Sequence, residues 1–431
     1  MWVIKIMEEK NNNKNVWVFH HYATPPTMNG FTRPYNFAIN MNDENVKTTV
    51  FAASYLHFSD VNLISDKRLY TVEDHSDVSF VFVNTPSSAK STIARIKNMA
   101  TYYKKLFSVA KRISEKYGKP DVIIASSPHP LAMVAGIKIA KKLNVPCICE
   151  IRDLWPETIF AFGKTKENSI LGKLLIAGEH WIYKRADGLV FLKEGDTDYL
   201  RDRNWTTEQG GEIDLNKCHY INNGVDIAAF NSQIEKNILQ DQDLLSGKFN
   251  VVYTGAIRPI NNVGNILDAA RLLKGKTNIQ FLIYGDGNQL DSLKKRVKEE
   301  GLTNVKMKGY VDKKYIPYVL SNSSVNILNY SQTKYNWSRG NSSNKLFEYM
   351  ASGKPIISTV QMGYSPLEKY NCGLSLTRDT PEDLANNIMQ IYNLPNETYY
   401  EMSQNAKIGA KEFDYKVLTQ KLETVMEKVI S

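Results

Sequence analysis

Short apolar runs alternate with longer helical patterns through nearly the whole chain, and the alternation occurs twice. In the first half, Val16 to Phe19, Thr48 to Ala52, Val122 to Ala125, Cys147 to Ile151 and Leu189 to Leu192 read as strands, with helical patterns between most of them. In the second half the strand-like runs are Val251 to Tyr253, Gln280 to Tyr284, Val305 to Met307, Val325 to Leu328 and Pro355 to Ser358. Strands that alternate with helices build parallel sheets covered on both faces, so the pattern predicts a doubly wound α/β architecture. At 431 residues the chain is too long for one compact core, and its two halves each supply one. The polar, Gln- and Asp-rich stretch 231–248 separates them. The predicted domains are residues 1–230 and 249–410, joined by the linker 231–248; residues 411–431 form a last helix with the option of returning to the first domain. Two such domains facing across a cleft put strand carboxyl ends, where ligands bind in open α/β sheets, on both walls.

The environment is constrained too. The best candidate for a membrane span, residues 121–140, is broken by Ser126-Ser127-Pro128-His129-Pro130. The opening run Met1 to Met7 is short, passes into Glu8-Glu9-Lys10 and lacks a small-residue cleavage site, so secretion is not expected. Four cysteines do not make a disulfide framework, and Cys147 and Cys149 alternate within a strand-like run; a cytoplasmic protein with reduced thiols is the simple reading. A formal charge of +9 points to phosphates, nucleic acid or an anionic membrane surface without separating them.

One segment carries a specific chemistry. From Ser342 to Ile357 the sequence reads as a short helix followed by a buried strand: Ser342 or Ser343 caps it, Gly353 supplies a left-handed C-terminal residue, Pro355 prevents continuation and Ile356-Ile357 begin the strand. Free amides at that N-terminus suit a phosphate. Glu348 lies one turn below Asn344, where a carboxylate can accept both hydroxyls of a ribose. An ordinary capped amphipathic helix has the same spacing. Gly285-Asp286-Gly287, after the strand 280–284, would let backbone approach a nucleotide, or is a tight turn; Leu290 stands where a dinucleotide fingerprint has its third glycine. In the first half, the Pro- and Gly-rich loop from Thr24 to Arg33 follows the first strand.

These residues resemble the retaining glycosyltransferases of family 4, which have the GT-B fold of two Rossmann-like doubly wound domains facing across a cleft. The resemblance runs from the loop after the first strand to about Asp414 and is strongest at Asn344 to Pro355. Within the family the chain is most similar to bacterial surface-polysaccharide enzymes, through Ser127-Pro128-His129-Pro130 and Glu150-Ile151-Arg152-Asp153-Leu154-Trp155-Pro156. It implies a nucleotide-sugar donor, a UDP-sugar, with its nucleotide on the C-terminal domain: Glu348 on the ribose, the segment Ser343, Asn344 and Lys345 at the phosphates, Gly285 and Gly287 beside the nucleotide, and Tyr310 and Val311 beside the base. Asn29 and Gly30 resemble the family's glycine-rich loop. Arg33 either stabilises negative charge there or anchors the following helix.

Three positions depart from the family's pattern. The first of its two glutamates, eight residues before Glu348, is Gly340. Arg152 stands where many members have a catalytic-site histidine before Asp153; permanently charged, it positions phosphate or sugar, or forms a salt bridge to Glu150, Asp153 or Glu157. The usual diphosphate-neutralising Arg and Lys are Ala256 and Asn262, which leaves Arg258 as the nearest replacement, with Lys345 assisting. His20, His21 and His129 sit at predicted strand ends, as sugar or acceptor contacts or as satisfied structural histidines. Asp196-Thr197-Asp198 and Asp241-Gln242-Asp243 mimic a metal-binding signature but read as solvated carboxylates, so no metal or other cofactor is expected.

The expected function is transfer of a hexosyl or N-acetylhexosaminyl group from the donor to a glycan or polyprenyl-diphosphate-linked acceptor, with Asp153, Arg152, His129 and His21 as candidate catalytic residues. The alternatives are a nucleotide-sugar 2-epimerase of the same fold and a nucleotide-binding scaffold without activity. Residues 90–119 carry nine basic residues against Glu115, interleaved with Ile93, Ile96, Met99, Tyr102, Tyr103, Leu106, Phe107 and Val109. They form either a docking face for an anionic membrane, making the enzyme peripheral at the inner face of the plasma membrane, or a solvated helix packed on the sheet. A nucleic-acid partner is not expected, because no recognised module accompanies the charge.

Overall fold

The computed structural model describes residues 14–28, 30–41, 46–57, 59, 61–88, 91–161, 163–332 and 336–431. The opening Met1 to Met7 run, Asn29 and Lys90 lie outside them. The first sheet is built from β1 (Lys14–Phe19), β2 (Val46–Ala53), β3 (Tyr70–His75), β4 (Val78–Val83), β5 (Val122–Ser126), β6 (Cys147–Ile151), β7 (Gly188–Phe191) and β8 (Cys218–Tyr220), in the order β3-β4-β2-β1-β5-β6-β7-β8. The second contains β9 (Phe249–Thr254), β10 (Ile279–Tyr284), β11 (Val305–Gly309), β12 (Val325–Leu328), β13 (Ile356–Ser358) and β14 (Gly373–Ser375), in the order β11-β10-β9-β12-β13-β14. All pairs are parallel except β3 with β4. This is the GT-B arrangement of two Rossmann-like doubly wound sheets.

β3, β4, β8 and β14 have no counterpart in the sequence reading. β3 is a half-exposed edge strand carrying Glu73 and Asp74, and it turns back into β4 through Ser76 at φ 56°. β8 and β14 are three-residue strands at the opposite sheet edges, too short to show a period. β4 is an apolar run interrupted by Ser79, its one residue that is not buried.

Both sheets reverse strand order at their first strand. β1 pairs with β2 on one side and β5 on the other, and β9 with β10 and β12. Connections that leave in opposite directions open a crevice at the carboxyl ends. In the first domain that crevice is bordered by the loop after β1 and the start of α3 (Pro130–Leu143). There Pro130 fits the first helical turn and Asn144, at φ 53°, closes the other end. Gly136 lets α3 lie on β5: a Cβ would stand 2.4 Å from that of Ala125. Apolar clusters cover both faces of each sheet. The last helix, Tyr415–Ile430, packs Leu418, Leu422 and Val425 on the first sheet, and Tyr415 meets Phe37 of α1 (Arg33–Met41) edge-on at 5.6 Å.

The amphipathic segment of residues 90–119 is α2 (Thr92–Tyr117). Its apolar side is spent on the protein itself: Tyr102, Leu106 and Val109 are buried, and Tyr103 and Phe107 lie under Lys138 and Lys142 of α3. Of its large apolar residues Ile93, Ile96 and the terminal Tyr117 point outward, at 79%, 56% and 52% exposure. This favours the packed, solvated helix over the docking face.

Candidate functional site

A cleft of about 610 Å³ opens at the carboxyl ends of β9, β10 and β11. It is lined by Gly255 and Arg258 after β9, Gly285 and Gly287 after β10, Tyr310 and Val311 after β11, and Lys345 and Glu348 from the helix Asn344–Ala351. Residues that stand far apart in the chain thus share one cavity. The glycines answer first to the backbone. At φ 155° a Cβ on Gly285 would stand 1.8 Å from the Gly255 carbonyl oxygen, and one on Gly287 2.3 Å from that of Ile257. Only glycine lets the β9 and β10 turns approach so closely. The Ile257 amide donating to the Asp286 carbonyl at 2.8 Å joins them.

The helix ends as its sequence predicts, with Gly353 at φ 65°, but its start differs. Ser343 occupies the cap position without capping; its hydroxyl bonds the Tyr330 hydroxyl at 2.6 Å, and its amide donates to Asn341 Oδ1 at 2.7 Å. Ser343 and Asn344 lie outside the cleft lining, so the helix acts through Lys345 and Glu348. Lys345 Nζ donates to the Tyr253 hydroxyl at 3.1 Å and lies over the rings of Tyr253 and Tyr330, at 4.6 and 5.3 Å. Burial pushes this lysine down to about 8, with Glu348 a partial counterweight. Burial also raises Glu348 above the usual carboxylate range, against the pull of Lys313 and Lys345. Among the described residues no hydrogen bond or ion pair engages the Glu348 carboxylate or the exposed Arg258 guanidinium. A half-desolvated lysine, a free arginine and a free carboxylate suit a ligand with an anionic group at one end and hydroxyls at the other.

Gly340 is at φ 109°, a conformation that disfavours any side chain, and the Cβ direction faces Lys193 Cβ at 3.6 Å. A glutamate would be strained in this backbone conformation, and the segment beside it makes contacts between the domains. Beside it, Arg339 is 8% exposed and reaches across to Glu157 of α4 (Trp155–Ala161) and, at 3.1 Å, to Asp202 of α6 (Asp196–Asp202), with its guanidinium over Tyr199 at 5.1 Å. Its carbonyl accepts the Gly195 amide at 3.1 Å. Asn223 donates to the Ser342 carbonyl at 2.6 Å and the Tyr364 hydroxyl to Asp198 at 2.6 Å. Nothing in the local sequence marks Arg339, because its partners come from segments far along the chain.

The opposite wall is formed at the ends of β1, β5, β6 and β7. Arg152 makes none of the salt bridges open to it from sequence. Its guanidinium donates to His20 Nε2 at 3.0 Å and lies over Phe31 at 4.8 Å, while Glu150 is engaged by Arg33 at 2.8 Å and Glu157 by Arg339. Arg33 is an anchor: 3% exposed, it also donates to the carbonyls of Asn222 and Ile221. Asp153 is exposed by area yet crowded by protein; desolvation raises its carboxyl, with Lys193 and Arg152 opposing. Lys193, just beyond β7, was not among the sequence candidates, although a strand's carboxyl end was the signal.

His21 and His129 do not face the cleft. They are 0% and 2% exposed and form a chain in which Asn98 accepts from His21 Nε2 at 2.6 Å and His21 Nδ1 accepts from His129 Nε2 at 2.8 Å. Asn98 Nδ2 donates to the Pro86 carbonyl at 2.6 Å, which fixes its oxygen as the acceptor and sets both tautomers. Burial pushes His129 down to about 3 and holds His20 and His21 well below their usual range, so the rings are neutral supports of this wall. Gly30 sits in the loop closed by the Ala23–Phe31 bridge, where a Cβ would stand 2.5 Å from Thr24 Oγ1.

In each metal-like pair one carboxylate is buried, Asp241 and Asp196, while its companion, Asp243 or Asp198, stays partly exposed as expected. Lys308 bridges Asp241 at 2.7 Å and Asp243 at 2.8 Å, and Asp196 is fully buried beside Lys193 at 3.6 Å. Among the described residues no group of three or more His, Cys, Asp or Glu is placed to hold a metal ion. Nor is any described helix long and apolar enough to cross a membrane.

Comparison with known proteins agrees with this geometry. The model of the glycosyl transferases group 1 family matches residues 235–409, and that of the glycosyl transferase 4-like domain matches residues 66–209. The chain is 27% identical over 266 residues to TuaH of Bacillus subtilis (strain 168), named for teichuronic acid biosynthesis as a glycosyltransferase, covering 60% of this chain and 62% of that one. It is 21% identical over 263 residues to the glycosyltransferase WbjE of Pseudomonas aeruginosa, covering 60% and 61%. The matches thus span about three fifths of the length of these relatives. In fold it is similar to Anabaena HepE, solved in complex with UDP, with a TM-score of 0.65 at 15% identity over 96% of this chain and 100% of that one.

Proposed function

Because the chain belongs to the group 1 glycosyltransferases, with the GT-B fold, we propose that it moves a sugar from a UDP-sugar to a glycan or lipid-linked glycan acceptor in the building of a bacterial surface polysaccharide. The observation that carries the donor assignment is the convergence of Glu348, Lys345 and Arg258 on one cleft. In this reading Glu348 accepts both ribose hydroxyls, Lys345 and Arg258 offset the diphosphate, and the backbone at Tyr310 and Val311 borders the base. A relative named for teichuronic acid biosynthesis and a neighbour of the same fold solved with UDP support the substrate class.

The reaction proceeds with retention and without metal. The acceptor hydroxyl attacks the anomeric carbon from the face the diphosphate leaves; the new carbon–oxygen bond forms as the bond to phosphate breaks, and the hydroxyl proton passes to a leaving phosphate oxygen. Negative charge grows on that oxygen, and Lys345 and Arg258 stand where it develops. No protein nucleophile is needed. Asp153 and Arg152 orient sugar and acceptor from the facing wall, and His21 and His129 hold that wall in place.

A thermal-shift screen of nucleotide-sugars tests the donor assignment, since a ligand that binds only the folded state raises apparent stability by mass action. UDP-sugars are expected to stabilise the protein and Glu348→Ala to lose that shift, on the order of a hundred- to ten-thousand-fold in affinity for two charge-assisted hydrogen bonds at about 1.5–3 kcal/mol each. Unchanged donor affinity and rate in this variant would sink the ribose assignment. Incubation with UDP-N-acetylglucosamine alone separates transfer from epimerisation, which needs no acceptor.

A further inference from the structure

Next to Asp153, on the acceptor side of the cleft, a second cavity of about 210 Å³ runs between α3, α4 and α5 (Ile170–Arg185). Its walls are mainly apolar, with Leu131, Val134, Trp155, Leu174, Leu175 and Ile182 the main contributors. Its one carboxyl besides Asp153 is Glu179, whose two oxygens accept the hydroxyls of Tyr183 at 2.7 Å and Tyr199 at 2.5 Å. Glu179 therefore shows the cavity little free polarity. At the outer end α5 leaves large aliphatic side chains in solvent, with Ile170 82%, Leu171 55% and Leu174 64% exposed. The exposed Lys164, Lys166 and Lys173 flank this rim in sequence.

We propose that this slot takes the hydrocarbon chain of the acceptor, which is joined through phosphate to the sugar end held at Asp153. The proposal rests on the transferase reading and adds the place and chemistry of acceptor binding. Three observations combine. Asp153 lines the slot and stands two residues beyond the carboxyl end of β6, on the wall that faces the donor cleft, so a chain lying in the slot points toward the acceptor end of the reaction. At ~30 Å³ per water-sized group it holds roughly seven such groups, enough for the first branched units of a chain whose remainder lies across the aliphatic rim. Arg152 and Lys193, which both act on the Asp153 carboxyl, offer cationic partners for the phosphate between chain and sugar, and the rim lysines suit an anionic lipid surface. A water-soluble glycan has no use for an apolar slot here.

The test is equilibrium binding of farnesyl diphosphate, below the concentration at which it forms micelles, with saturating UDP present to occupy the donor cleft. Isopentenyl diphosphate serves as the short-chain control. The expected result is at least ten-fold tighter binding of the longer chain. Gly178→Trp, at a slot position where an added Cβ meets nothing within 4 Å, is expected to remove that preference and leave the UDP thermal shift unchanged. Equal binding of the two diphosphates, no binding of either, or a Gly178→Trp protein that discriminates like the parent would overturn the proposal. Absence of a UDP thermal shift in the parent protein would instead overturn the transferase reading, so the two failures are separable.

Discussion

Replacing Lys345 by Met separates what the donor cleft does for the fold from what it does for a ligand. Burial depresses this lysine from the ordinary range near 10.5 to about 8. The unfolded chain, with an ordinary lysine, therefore holds more protons between those pH values, and the Lys345 contribution makes stability rise with pH across that window. At pH 7 its buried charge costs at most about 3.5 kcal/mol, taking about 1.4 kcal/mol for each pH unit between the two values. Loss of the contact over Tyr253 offsets about 1 kcal/mol of the gain on removal. Lys345→Met should thus stabilise the free protein by about 2.5 kcal/mol at pH 7, raising the melting temperature of the C-terminal domain by roughly 5–10 °C. It should also bind UDP at least ten-fold more weakly. In the parent protein a bound diphosphate restores the charge, so UDP binding at pH 8 should take up about half a proton, and near none at pH 6.5. Above pH 8 affinity should fall about ten-fold per pH unit up to the ordinary lysine range. Titration calorimetry in buffers of different ionisation enthalpy reads the uptake directly. No uptake at pH 8, or a Lys345→Met protein that is less stable at pH 7, would refute the reasoning.

The fold and the domain contact give further expectations. Gly285→Ala should abolish UDP binding in a thermal-shift assay and lower the melting temperature of the C-terminal domain, because its Cβ would stand 1.8 Å from the Gly255 carbonyl oxygen. Arg33→Met leaves Glu150 buried without its ion partner and should cost about 3–5 kcal/mol in denaturant unfolding, with Glu150→Gln in the same chain recovering part of the loss. Arg339→Met should lower kcat about ten-fold, in line with a partly buried pair worth ~1–2 kcal/mol, while UDP affinity stays within about two-fold; Arg339→Lys should restore part of the rate. A fall in UDP affinity equal to the fall in kcat would show that Arg339 shapes the donor site alone.

The alternation of apolar runs with helical patterns determined the two doubly wound sheets, because a buried parallel strand is apolar along most of its length; β4, interrupted by Ser79, is the buried strand that the pattern passed over. Edge strands carry no such mark, which is why β3, β8 and β14 came only with the structure. The C-terminal end of the helix Asn344–Ala351 was legible for the same kind of reason, since Gly353 and Pro355 act within one turn, whereas its start was not, because Ser343 gives its hydroxyl to Tyr330 instead of capping. The roles of Arg33, Arg152 and His21 were not legible, since a side chain's charge says what it can pair with and only the fold says which partner is within reach. Arg33 took the carboxylate that Arg152 could have used, leaving Arg152 to His20. Gly340 shows the division most clearly. The sequence determined that a glutamate is missing there; the tertiary structure decided what stands in its place, a backbone at φ 109° in which a glutamate would be strained, beside an Arg339 that reaches the other domain.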